Sequence, residues 1–595
     1  MSIPNVDSTL QLIENKGCES SENLGKLGTF PSGDDLGCFN VSSRQNMIDK
    51  DDDSYRDSRY QKARKWIVHT AHVIFQFRGA LSVLLTPLLL LPLAISDDMK
   101  CRCLFTVILM GVYWSISTIP IAVTAMLPVV LFPILGISTA TEVGSKYISD
   151  TNFLFMGGLM VASAVEKCGL HERIALRILT LVGHDPKRIL LGFVGVTSIL
   201  SMFISNTATA AMMVPIVQSL VTAIEEASKV VSELEGSRKK GIKKFATGLY
   251  LGIAFASNIG GIGTLTGTPP NLVLVGQMFQ LYNGADTGVN FVSWVFFAFP
   301  LMALCMVTTW VILVLLFLKD IETNEAVGRT ITQKYNELPA TKFSEIVVAL
   351  LFGLLIVLWI ARDPQVVPGF GIFFGTNYFT DATSAMFISC LLFIIPSKIP
   401  TVNDFKKILK GEKREKIEHL MDWHYMEKNF PWSIVFLLGG GFALASGVQS
   451  SGLSSSIGGI ISQFSHMPLV LLQIICFTIA MFVTNVCSNT VTASIFIPIV
   501  ANIASSIEVN PLNLMLPTTI ACSFAFILPA GTPPNAIVFA KNAVTVSQMA
   551  YAGTIVSFIT LWIVTFYLNF VAPLVFPLYQ FPEWAYTNVT KFSRD

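Results

Sequence analysis

Ser205-Asn206-Thr207-Ala208-Thr209-Ala210 and Ser488-Asn489-Thr490-Val491-Thr492-Ala493 stand 283 positions apart, each in strongly apolar surroundings. In both copies four more residues lead to Pro-Ile, at Pro215-Ile216 and at Pro498-Ile499. Neutral hydrogen-bonding groups at bilayer depth cost several kcal/mol each unless something satisfies them. A matched pair of such clusters therefore reads as a substrate and ion site carried by a duplicated membrane unit.

The same offset aligns the residues upstream without a gap: Gly157-Gly158 falls on Gly440-Gly441, Ala162-Ser163 on Ala445-Ser446, and Gly169-Leu170 on Gly452-Leu453. Downstream the offset becomes 264, where Gly267-Thr268-Pro269-Pro270-Asn271 meets Gly531-Thr532-Pro533-Pro534-Asn535. A duplication followed by a loop insertion in the first copy accounts for both numbers.

Composition fits that reading. Of 595 residues, 52% are apolar and 13% charged, outside the range of soluble globular chains. Apolar stretches recur, each long enough or nearly so to cross about 30 Å of hydrocarbon. The net charge of +1 is uninformative, and no nucleic-acid partner is expected. The ten cysteines have no metal-ligand spacing and are expected to be free thiols. The first apolar run begins near Gly79, so no cleavable signal peptide is expected and the first span serves as an anchor.

In order, residues 1–68 read as a disordered cytoplasmic tail ending in the basic cluster Arg56, Arg59, Lys62, Arg64 and Lys65. Residues 69–168 hold scaffold helices, with spans expected at 79–95, 104–119, 121–135 and 152–165. Residues 169–290 form a transport unit: an interfacial helix at 169–183, an uncharged hairpin at 189–223 with the first tripeptide at its tip, and a helix at 246–280 broken by the glycine- and proline-rich run. Residues 291–432 return to scaffold helices (292–318, 345–360 and 385–395), a charged segment at 319–342, an extramembrane stretch at 362–381 and a basic cytoplasmic loop at 398–428. Residues 433–550 repeat the unit, with a span at 433–449, an interfacial counterpart at 454–462, a hairpin at 468–503 and a broken helix at 512–541. Residues 551–595 contain the last span, 554–571, and an external C terminus with the sequon Asn588-Val589-Thr590, a glycosylation candidate.

The fold expected is an all-α polytopic membrane protein of about eleven transmembrane helices plus two re-entrant hairpins in an inverted-topology repeat, with scaffold and transport domains. An odd number of crossings separates the copies, so one hairpin opens inward and the other outward. Half-helix N termini in the shared cavity favour an anion, and carbonyls and hydroxyls suit a hard cation such as Na+. Ser201 and Thr484, each four residues before a tripeptide, add one oxygen on the same helical face. No Asp, Glu, Lys, Arg or His lies within 189–223, 468–503 or 512–540, which argues against an intramembrane proton carrier. Glu166, Lys167 and His171 read as a solvated cap or interface group, and no nucleophile or metal cluster marks an enzyme.

These residues resemble the divalent anion to sodium symporter family, the Indy-like sodium-coupled di- and tricarboxylate transporters. The resemblance covers roughly Gly79 to Trp584 and includes both tripeptides, both Pro-Pro-Asn loops and Leu170-His171-Glu172-Arg173-Ile174-Ala175-Leu176-Arg177. It implies a plasma-membrane homodimer that moves succinate-, malate- or citrate-class anions by an elevator mechanism, with Na+ as coupling ion and no other cofactor. Carried over, Asn206, Thr207, Asn489, Thr490, Thr532 and Pro533 would hold substrate. Ser201, Ser205, Asn206 and Gly267 would line one Na+ site, and Thr484, Ser488, Asn489 and Gly531 the other. The chain departs from many relatives at Ser117 and from vertebrate carboxylate members at Asn485, where each has Glu. A sodium-independent exchanger, a sulfate transporter of the same fold, or an anion channel are the alternatives.

Overall fold

A computed structural model describes residues 78–586 apart from 117–118, 184, 231–235, 283, 319–324, 365–367, 376–377, 399–417, 454–455 and 457–466. All of these belong to the unit Phe77–Asp595. Among them the secondary structure is helical, and the one extended pairing is an isolated bridge between Pro396 and His419.

The chain begins with α1 (Arg78–Ile95) and α2 (Met99–Ile116), joined by a turn in which Asp98 Oδ1 accepts from Lys100 N at 2.9 Å. The span expected at 121–135 is instead two short helices, α3 (Ile121–Ala125) and α4 (Leu127–Ile134). Pro128, with no N–H to give Thr124 and a ring that crowds it, breaks the rod at Met126. After α5 (Ala140–Ser145) comes α6 (Asp150–Cys168), which Gly169 ends in the left-handed region at φ 81°. That conformation is strained for any side chain and common at helix C termini.

The helix expected at 169–183 appears as α7 (Leu170–Thr180). Its Arg173 Nε lies 2.5 Å from Glu345 Oε2 and its Nη2 donates to Pro339 O at 2.7 Å. The hydrogen bond that Arg173 donates to the Glu345 carboxylate raises the Arg173 pKa above its ordinary value. The first hairpin is α8 (Pro186–Ser201) and α9 (Asn206–Val230), and the first broken helix is α10 (Gly236–Gly261) and α11 (Pro269–Leu281).

Next is α12 (Phe291–Phe317), followed by α13 (Glu325–Glu337) inside the segment read from sequence only as charged. Its buried Ile331 and the stacking of Arg177 over the Tyr335 ring at 5.5 Å seat α13 on α7, a tertiary contact that local composition does not reveal. Then come α14 (Phe343–Arg362) and α15 (Asp381–Ile394). The stretch between them is pinned at its ends by Arg362 Nε and Asp381 Oδ1, 2.6 Å apart.

The second copy has α16 (Trp423–Asn429), α17 (Trp432–Ser450), the hairpin α18 (Leu469–Thr484) and α19 (Asn489–Ser506), the broken helix α20 (Leu512–Cys522) and α21 (Pro533–Phe539), and finally α22 (Val546–Phe570). Gly452, the counterpart of Gly169, is also left-handed, at φ 73°. The second break is wider than the sequence indicated, since α20 stops at Cys522 and the backbone stays unwound to Thr532.

Among the described residues seven helical segments are long and apolar enough to cross a membrane, so the chain is a multi-pass membrane protein. Two of the seven are hairpin arms, in α9 and α19, and five shorter apolar helices accompany them. The other arms, α8 and α18, have 16 residues each. At 1.5 Å per residue each reaches about 24 Å, short of a full crossing.

Packing repeats with the sequence: α8 and α9 lie on α10 as α18 and α19 lie on α20. The copies also interlock, because α21 packs on α9 and α10 while α11 packs on α17 and α19. A Cβ at Gly260 would collide with the Ser198 backbone, so glycine there lets α8 and α10 approach closely. Phe255 and Phe526, with ring centroids 5.3 Å apart, join α10 to the unwound stretch of the other copy.

Candidate functional site

Each tripeptide opens a helix where the hairpin turns. Ser201, the last residue of α8, places its Oγ 2.7 Å from Asn206 Oδ1 and 2.7 Å from Ser257 O. Thr484, the last residue of α18, repeats this with its Oγ1 2.8 Å from Asn489 Oδ1 and 2.6 Å from Cys522 O. A hydroxyl has one proton for two acceptors, so in each half a hydroxyl, an amide oxygen and a main-chain carbonyl crowd together with acceptor capacity to spare. Three neutral oxygens in that arrangement suit a hard monovalent cation.

The unwound loops close each group from the other side. A Cβ at Gly267 would lie 2.8 Å from Met202 O, and one at Gly531 would lie 3.1 Å from Asn485 O. Met202 and Asn485 are themselves counterparts, so the same close approach recurs in both halves. Asn271 Nδ2 donates to Gly261 O at 3.1 Å and Thr264 O at 2.7 Å, while Asn535 Nδ2 donates to Ala525 O at 2.8 Å and Leu528 O at 3.0 Å. Thr264 O and Leu528 O also accept from the backbone N–H groups of Gly267 and Gly531, so in each run the asparagine adds a second donor to one carbonyl and serves another, Gly261 O or Ala525 O, at the break.

These pieces enclose one cavity of about 750 Å³. Asn206, Thr207, Asn489, Thr490, Thr532 and Pro533 all line it, as do Ser205, Gly267, Ser488 and Gly531. Ser201 and Thr484 do not; they are fully buried behind Asn206 and Asn489. Asn485, also buried, accepts from Ile527 N at 2.9 Å and donates to Met481 O at 2.7 Å, so its amide serves the unwound backbone. Asn588, Ser117 and nearly all of 454–462 lie outside the described residues.

The N termini of α9 and α19 begin at the cavity wall with Asn206 and Asn489. Both bring the positive end of a helix dipole and free N–H groups to an anion. The helices α11 and α21 also begin there, yet each opens with two prolines and offers no N–H at those positions.

Among the lining residues that the sequence analysis did not assign to the site are Asn258 and Glu166. Asn258, in α10, is fully buried and bridges the copies: its Oδ1 accepts from Asn206 Nδ2 at 3.5 Å and its Nδ2 donates to Thr532 Oγ1 at 3.2 Å. Comparison of the repeats does not flag it, because its counterpart is Cys522. Glu166, read as a cap, lines the cavity as the one carboxylate among the lining residues. The Tyr425 phenol, on α16, has its pKa raised by burial and further by the Glu166 charge, which locates this carboxylate beside the start of the second copy.

Residues 75–576 match the family described as the sodium:sulfate symporter transmembrane region. The chain is 51% identical to the sodium-dependent high-affinity dicarboxylate transporter 3 of Caenorhabditis elegans over 86% of this chain and 90% of that one. It is 46% identical to the sodium-dependent low-affinity dicarboxylate transporter 1 of the same organism, covering 86% of this chain and 93% of that one. With the Na(+)/citrate cotransporter of Rattus norvegicus it shares 38% identity over 87% of this chain and 99% of the relative.

Proposed function

This chain belongs to the sodium:sulfate symporter family, and from that premise we propose that it is a secondary active transporter coupling Na+ to the movement of di- and tricarboxylates. The observation that carries the reading is the single cavity into which both tripeptides and both Gly-Thr-Pro loops open. A volume of about 750 Å³ has room for a carboxylate of several carbons, which favours that class over the smaller sulfate ion.

In this reading Asn206, Thr207, Asn489, Thr490, Thr532 and Pro533 hold the anion, one carboxylate near each helix N terminus. One Na+ lies among Ser201, Ser205, Asn206 and Gly267, and a second among Thr484, Ser488, Asn489 and Gly531. Asn206 and Asn489 belong to both sets: the amide oxygen faces the cation and the amide N–H faces the anion. Each ligand then improves the site for the other, which is the physical basis of coupling.

The parts read as transport units, 169–290 and 433–550, carry the site across the membrane against the scaffold in an elevator motion, within a homodimer at the plasma membrane. The crossings total about eleven, with the N terminus cytoplasmic, the C terminus external and Asn588 glycosylated. The support for this orientation is the placing of the basic loops and the recurrence of one local structure in both copies.

Uptake of labelled succinate and citrate into vesicles, with Na+ replaced by choline, tests the reading. Concentrative uptake that requires Na+ is the expected outcome. Accumulation that persists without Na+ would overturn the coupling, and flux without accumulation would make the protein a channel.

A further inference from the structure

Among the described residues Asn258 is the side chain that reaches from the first tripeptide to the second unwound loop. We propose that Asn258 is a positioning residue that couples cation occupancy of the first half-site to anion binding by Thr532 of the second. The inference rests on the reading of the cavity as the ion and anion site.

A primary amide has a fixed accepting side and a fixed donating side. Because Asn258 Nδ2 donates to Thr532 Oγ1, that hydroxyl oxygen accepts and turns its own proton elsewhere. Thr532 lies on the cavity wall, so the proton is directed toward a bound carboxylate. On its other side Asn258 Oδ1 takes one N–H of Asn206, which keeps the Asn206 Oδ1 facing Ser201 and the oxygens that suit a cation.

The link from Asn206 Nδ2 to Asn258 Oδ1, at 3.5 Å, is long enough that a small shift of Asn206 makes or breaks it. A cation drawing on Asn206 Oδ1 moves Asn206 Nδ2, and through Asn258 the change reaches the hydroxyl that meets the anion. The equivalent position in the second copy is Cys522, a fully buried thiol and a weak hydrogen-bonding group. The relay is therefore built at one of two otherwise matched places.

The test measures succinate KM at low and high Na+, choline holding ionic strength, for wild type, Asn258→Ala, Thr532→Val and the double variant, normalised to transporter at the cell surface. In wild type KM is expected to fall as Na+ rises. In Asn258→Ala the ratio of the two KM values is expected to shrink by about fivefold. The double variant is expected to be no worse than Thr532→Val, since both changes cut one path. An unchanged KM ratio in Asn258→Ala, or additive effects in the double variant, overturns the relay and leaves the site reading standing. A normal KM in Thr532→Val together with normal uptake in Asn206→Ala overturns the site reading itself. If the alanine protein does not reach the surface, Asn258→Ser, too short to span both partners, carries the same measurement.

Discussion

The two halves of the cavity share a plan and differ in how much of it is already in use. In the first, Ser205 Oγ accepts from Ala208 N at 3.2 Å, and one Asn206 N–H goes to Asn258. In the second, the Ser488 side chain makes no capping bond to α19, and Cys522 stands where Asn258 would be. Support for the unwound loop also comes from different residues. Thr264 donates its hydroxyl to Met202 O in the first half, whereas the Asn485 side chain accepts from Ile527 N in the second. The two halves share the hydroxyl–amide pairs and the loop asparagines, and differ in the groups around them. The first half is tied down by its own side chains, and the second leaves more donors open to a ligand.

Changes that remove what the halves share are expected to have the largest effects. Asn206→Ala and Asn489→Ala should each lower uptake by about 100-fold or more with surface expression intact, because in the proposed site each removes an amide that serves both ligands; normal uptake in both variants would break the site assignment. Next, Asn271→Leu and Asn535→Leu should each destabilise the protein by about 1 to 3 kcal/mol in detergent melts, since each removes the side-chain donor of two carbonyls, Gly261 O and Thr264 O in one run and Ala525 O and Leu528 O in the other. Unequal losses would show that the loops are less alike than their bonds. Asn485→Met, which gives the second half the residue of the first, should cost about 1 to 3 kcal/mol by leaving Ile527 N without its partner, and no change in melting would break that part of the contrast. The smallest effect sharpens it. Ser205→Ala should cost about 1 kcal/mol for a lost cap, while Ser488→Ala leaves the melting temperature in place.

Much of this architecture was legible before any coordinates. The doubled tripeptide, its upstream glycines and the Gly-Thr-Pro-Pro-Asn runs located both hairpins and both helix breaks, because burying a polar cluster or a proline pair leaves few other solutions. The split at Met126, the helix α13 and the early end of α20 were not legible, since each depends on what packs nearby. Glu166 fell between the two cases, as an ordinary helix-end charge whose place on the cavity wall follows from the approach of α16.

The sequence by itself determined that this is a helical membrane protein with a neutral polar motif that occurs twice, because periodicity, hydropathy and the cost of buried polar groups are local properties. Only the tertiary structure decided that both sites open into one cavity, that Ser201 and Thr484 stand behind it, and that Asn258 joins its halves. Those facts arise where α10 of one copy meets the unwound loop of the other. The two segments are more than 250 positions apart in the chain, and no local pattern specifies which side chains meet across such a distance.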